Sequence, residues 1–170
     1  DGGDGGGEGG GGGAGGAGGG GGLPDTVRVG APGPEEAPFG ASIINSAELA
    51  ATEINESDDL LADDPVEVTS ADTKDDPGTA RQRYGEMTSG GSAVDATVGI
   101  FGSEQLLALM GNIADKQTPH LTAGAATPEA PGRLTEDYER YKYWFRVGPV
   151  NSTFLGDSLI QYAADRVEAM

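Results

Sequence analysis

From residue 27 onward, short apolar runs alternate with stretches whose apolar residues recur at helical spacing, the pattern of a parallel α/β sheet. Residues 27–31 form the first predicted strand, which Pro32-Gly33-Pro34 is expected to end. Ile43, Ala47, Ala50 and Ile54 predict a helix over residues 40–55, and Val66, Val68 and Ser70 a second strand. Asp76 as N-cap with Pro77 at the first helical position opens the next helix, whose inner face carries Ala80, Tyr84 and Met87. A buried third strand is predicted over 96–101. Gly102-Ser103 turns it into a helix with the apolar set Leu106, Leu107, Met110, Ile113 and Ala114. Residues 119–122 read as a short fourth strand and 143–147 as the last. Leu155, Leu159, Tyr162, Ala163 and Val167 place a final helix over 154–170, with no sheet in the chain left for its apolar face to cover.

The first 22 residues are almost all glycine and contain no large apolar side chain, so they are expected to act as a disordered flexible tether. Their glycines match nucleotide-loop patterns only formally, because no strand precedes them. The chain carries 28 acidic against 10 basic residues, a formal net charge of −18, which excludes nucleic acid as a partner because phosphates require a basic surface. An acid-rich composition in which Lys74, Lys116 and Lys142 are the only lysines resembles that of salt-adapted haloarchaeal proteins, where brine screens the carboxylates. With no cysteine, disulfides and thiolate metal sites are ruled out.

In a parallel α/β sheet, ligands bind beyond the carboxyl ends of the strands, which directs attention to residues 34–40, 99–105 and 124–128. At the second of these loops, free amides at a helix start and the Ser103 hydroxyl suit an anion such as a carboxylate, although Ser103 also fits a plain N-cap. At the third, Gly124, Ala125 and Ala126 let a ligand approach the main chain and Thr127 adds a hydroxyl, while Thr127-Pro128 equally fits a cap and first helical position. Catalysis finds little support. His120 falls in a short strand, where a packed core position is the stronger reading, and 99–103 lacks the register of a nucleophile elbow. Asp72, Asp75 and Asp76 form the best acidic group, but a cap and a solvated turn account for them, so no metal is expected. Trp144 with Tyr138, Tyr141 and Tyr143 is expected to pack against the sheet rather than to stack a ligand. Asn55-Glu56-Ser57 and Asn151-Ser152-Thr153 fit the N-glycosylation pattern.

Val-Gly-Ile-Phe-Gly-Ser at 98–103, Thr-Pro-His-Leu-Thr-Ala-Gly-Ala-Ala-Thr-Pro at 118–128 and Trp-Phe-Arg-Val-Gly-Pro at 144–149 resemble the branched-chain amino acid binding proteins of ABC importers. Gly40 with Ala47-Glu48-Leu49-Ala50 and Glu53-Ile54-Asn55, and Asp72 with Asp76-Pro77, extend the resemblance from residue 27 to the end. It implies a type I periplasmic-binding lobe: a parallel Rossmann-like sheet with helices on both faces, occupying 23–150, with 151–170 as the first helix of a truncated second lobe. It further implies an extracytoplasmic solute-binding protein, not an enzyme and without cofactor, that hands a small amino acid to the membrane subunits of an ABC importer. A lipid anchor upstream of the tether would hold it on the outer face of the cytoplasmic membrane. The family's ligand roles fall on Ser103, Ala125 and Thr127, with Phe39 at the cleft entrance and Glu104 and Ala126 beside them. Glu104 and Gln105 depart from the small hydroxyl residues common next to that serine. The alternatives are a ligand-sensing receptor domain of the same fold and an amide- or urea-binding transport protein.

Overall fold

The computed structural model describes residues 25–57, 65–148 and 151–168; the glycine-rich segment 1–22 lies outside the described residues. Strands β1 (Val27–Gly33), β2 (Val66–Asp72), β3 (Ala96–Gly99), β4 (His120–Thr122) and β5 (Trp144–Arg146) form one sheet in the order β2-β1-β3-β4-β5, with every pairing parallel. Parallel neighbours require crossovers, supplied by α1 (Pro38–Glu56), α2 (Pro77–Met87), α3 (Ser103–Lys116) and the pair α4 (Glu129–Glu136) and α5 (Tyr138–Tyr141). Helix α6 (Ser152–Glu168) follows β5. The strand order reverses between β1 and β3, so the loops leaving their carboxyl ends diverge and open a crevice there.

The core lies on one face of the sheet, where Ala80 and Tyr84 of α2 and Leu106, Leu109, Met110 and Ile113 of α3 pack with Trp144. Helix α1 covers part of the other face. Its expected apolar stripe, Ile43, Ala47, Ala50 and Ile54, lines an open apolar groove of about 570 Å³ together with Val98 and Leu121, while Ile44 and Ala51 are the α1 side chains that are buried. The expected apolar face of α6 is likewise exposed, at Phe154, Leu155, Leu159 and Val167.

Two boundaries differ from expectation for physical reasons. Pro32 and Gly33 continue β1, paired with Ala71 and Asp72. Successive residues of a parallel strand address opposite neighbours. Pro32 faces β3 and, lacking an N–H, keeps the pairing there through its carbonyl, which accepts from the Ile100 N–H (3.3 Å). Strand β3 stops at Gly99 instead of running to Phe101, because Gly99 (φ 151°) and Ile100 (φ 62°) turn the chain away. The Asp76 cap forms as expected, its Oδ1 accepting from the Thr79 N–H at 2.6 Å.

Candidate functional site

The turn after β3 is built against local preference. A β-branched residue with positive φ is strained, yet Ile100 adopts φ 62° while fully buried, and the conformation persists because the surroundings hold it at both ends. Its N–H is taken by Pro32 and its carbonyl accepts from the Ala125 N–H (3.2 Å). Gly99 must be glycine here, since a Cβ would sit 2.5 Å from the Pro32 carbonyl oxygen. Gly102, expected to be the pivot, has an ordinary φ of −74° and serves as the N-cap of α3 without a side-chain cap bond. Ser103 is therefore the first helical residue and not the cap. Among the described residues its hydroxyl makes no hydrogen bond, and the first-turn N–H groups of α3 have no intrahelical acceptor.

The turn after β4 lies alongside. The bonds from Ala123 N–H to Gly99 (3.0 Å) and from Ala125 N–H to Ile100 (3.2 Å) stitch the two turns together, which places Ser103 and Thr127 at the same end of adjacent strands. Ala125 is fully buried with its N–H committed, leaving only its carbonyl for an outside partner. Ala126 is half-buried. Thr127 is 8% exposed, and its Oγ1 accepts from the Glu129 N–H (3.1 Å) like a cap, which leaves the hydroxyl proton and the main-chain N–H of Thr127 unspent among the described residues. Phe39, in the first turn of α1, stacks on Phe101 with centroids 4.5 Å apart and planes at 30°. A Cβ on Gly124 would lie 2.6 Å from the Phe101 ring, so three loops meet on this one aromatic, which remains 46% exposed. Glu104 is exposed beside them.

Three residues that the sequence pattern did not single out frame this region. Phe101 reads in the sequence as the end of a strand. Gln105 is buried on a helical position that usually faces water, because its amide accepts from the Thr73 hydroxyl (3.2 Å) and donates to Asp75, tying the loop after β2 to the start of α3. Arg146 ends β5, and its Nη2 donates to the Thr127 carbonyl at 2.6 Å. Its position at a strand's carboxyl end was the one available signal.

Elsewhere the candidate chemistry resolves into structure. Asp72 accepts from the Lys74 and Glu35 N–H groups, which hold its carboxyl below the usual range, and the Thr79 amide and hydroxyl do the same for Asp76. No group of metal-ligating side chains occurs among the described residues. His120 is fully buried, and desolvation pushes its pKa down to about 3; it hydrogen-bonds the Thr97 hydroxyl through Nδ1 (2.8 Å) and meets Tyr84 edge-on. Trp144 is buried in the core with Tyr141 and Tyr143 packed against it, whereas Tyr138 is exposed. The Asn55 amide is spent on both main-chain groups of Val66, and Asn151 caps the start of α6. The large groove beneath α1 lacks convergent polar groups and is a packing face, not a ligand site.

The sequence profile described as periplasmic binding protein matches residues 26–169. The chain belongs to the periplasmic binding protein family. No curated protein matches it by sequence. Solved structures share the fold of this periplasmic binding protein chain at low identity. A putative branched-chain amino acid ABC transporter from Silicibacter pomeroyi is 21% identical, with a TM-score of 0.74 over 85% of this chain and 36% of that one. A branched-chain amino acid transporter substrate binding protein from Streptococcus pneumoniae, in complex with isoleucine, is 22% identical, with a TM-score of 0.60 over 71% and 33%. An ABC transporter solute binding protein from Rhodopseudomonas palustris, in complex with 3,4-dihydroxybenzoic acid, is 21% identical, with a TM-score of 0.57 over 72% and 32%. The periplasmic binding protein chain thus spans about a third of the length of these structures. The five-stranded parallel sheet with helices on both faces is the type I lobe of that fold.

Proposed function

We propose that this chain is the first lobe of an extracytoplasmic solute-binding protein that captures a small carboxylate-bearing ligand, a branched-chain amino acid foremost, and delivers it to the membrane subunits of an ABC importer. In this reading residues 23–150 are the lobe, α6 leads into a second lobe that closes over the ligand, and residues 1–22 tether the protein to a lipid anchor on the outer face of the membrane. The observation that carries it is the unspent Ser103 hydroxyl at the uncapped start of α3, held beside Thr127 by the Ala125–Ile100 bond. Open main-chain donors at a helix start favour an anion electrostatically, and in this reading the two hydroxyls donate to it. In this reading the site binds its ligand without turning it over, and the burial of the sole histidine supports it by removing an imidazole from the surface.

A second ligand class has its own support. The stacked Phe39–Phe101 pair presents a flat apolar wall next to Ser103, which suits an aromatic acid such as the dihydroxybenzoate held by the Rhodopseudomonas protein. Calorimetric titration of the full-length protein in high salt with leucine, isoleucine, valine, urea and 4-hydroxybenzoate tests both. Ser103→Ala removes a hydrogen bond to a charged group, worth roughly 1.5–3 kcal/mol, so binding of the preferred acid is expected to weaken about 10- to 100-fold with the fold retained. Unchanged affinity would reduce Ser103 to a helix-start residue and defeat the reading.

A further inference from the structure

We propose that Arg146 is a positioning residue for the ligand loop: by holding the Thr127 carbonyl it fixes the backbone of the residue whose N–H and hydroxyl serve a carboxylate. The inference rests on the preceding reading of that loop as the ligand site.

Arg146 lies beside Thr122 in the sheet, at the end where the loops gather. Its guanidinium sits over the Trp144 ring at 5.5 Å, and that ring is anchored in turn by its Nε1 donating to the Thr122 hydroxyl at 2.7 Å. The arginine is thus laid on a fixed platform, from which Nη2 reaches the Thr127 carbonyl. One residue earlier, the Ala126 carbonyl accepts from the Ser152 N–H at 2.7 Å. Two consecutive carbonyls of the loop are therefore held from the β5 side. In a trans peptide the N–H points opposite to the carbonyl, and no peptide here is cis, so the Thr127 N–H is directed away from Ser152. With both peptide planes fixed, the Thr127 Cα–Cβ direction is set, and the Glu129 N–H (3.1 Å) locates its Oγ1.

The electrostatics are equally specific. The chain has 28 acidic residues and 10 basic ones, yet the ion pairs among the described residues do not include Arg146. Its Nε is buried without a partner. A guanidinium with no carboxylate partner among the described residues brings positive charge next to the loop, which a carboxylate-bearing ligand would exploit.

The test compares the full-length protein with Arg146→Met and Arg146→Lys by calorimetric titration of leucine and 4-hydroxybenzoate, with amide hydrogen exchange of residues 124–128 measured alongside. Far-ultraviolet circular dichroism and urea unfolding check folding. Arg146→Met is expected to weaken binding at least tenfold and to speed exchange in 124–128 while β4 keeps its protection. Arg146→Lys, which retains a charge and one donor, should recover part of the affinity. A residue that served stability alone would lower the folded fraction without changing affinity per folded molecule and without rescue by lysine. Wild-type affinity in Arg146→Met, alongside weakened Ser103→Ala, overturns this inference and leaves the ligand reading standing. If neither ligand binds the wild-type protein, the ligand reading fails instead. The exchange measurement then decides alone, and unchanged exchange in 124–128 overturns the positioning role.

Discussion

His120 makes a sharp prediction about acid. Buried and neutral, it has a pKa pushed down to about 3 from an ordinary 6.5, because desolvation penalises the imidazolium. Between those two values the unfolded chain binds a proton that the folded chain does not, so stability rises with pH in that window and is lost as pH falls from about 6.5 toward 3. From pH 7 to pH 5 the loss amounts to about 2 kcal/mol, since each unit below the unfolded pKa contributes about 1.4 kcal/mol. Carboxylates add little there. Asp72, Asp76 and Glu86 have lowered pKa values, so their contribution is present above the ordinary carboxylate range and is lost only below it. The assay is urea unfolding at both pH values for the wild type and for His120→Asn, which keeps a side-chain acceptor near Nδ1 but cannot take up the proton. The variant starts less stable, and its curve should be flatter by that same amount. Parallel curves would mean that His120 is not the group setting this slope, and the burial argument would fail.

Other consequences can be checked separately. Leu109→Ala empties a fully buried site between α2 and α3 and should cost about 2–5 kcal/mol in chemical unfolding. Gly124→Ala puts a Cβ 2.8 Å from the Phe101 Cα, a main-chain atom that cannot swing aside, so Phe101 must shift; affinity for the preferred acid should fall in titration while secondary structure by far-ultraviolet circular dichroism is kept. With a net charge of −18, raising KCl from about 0.1 to about 1 M shortens the screening length from about 10 to about 3 Å, and the thermal midpoint should climb; a flat response would rule out carboxylate repulsion as a limit on stability.

Local chemistry was legible in the sequence wherever one residue type carries its own geometry. Asp76-Pro77 names a helix start because a carboxylate cap and a fixed φ act within a single turn, and the alternation of apolar runs with helical spacing requires a parallel sheet. What escaped was decided between segments. Ile100 has every local reason to remain extended, and only the Pro32 and Ala125 bonds on either side compel its positive φ, so the turn that presents Ser103 could not be located to the residue. Gln105 looks solvent-facing until Thr73 and Asp75, some thirty positions away, are brought to its amide. Arg146 belongs with them: as the end of Trp-Phe-Arg it reads as a strand terminus, and its reach to Thr127 exists only because β5 pairs with β4 in one particular register. The contacts that escaped a local reading, at Ile100, Gln105 and Arg146, thus join the turns that leave β1, β2, β3 and β4 to one another and to β5. Ile100 carries the physical point, since a turn held against its own preference persists only where neighbouring structure over-determines it.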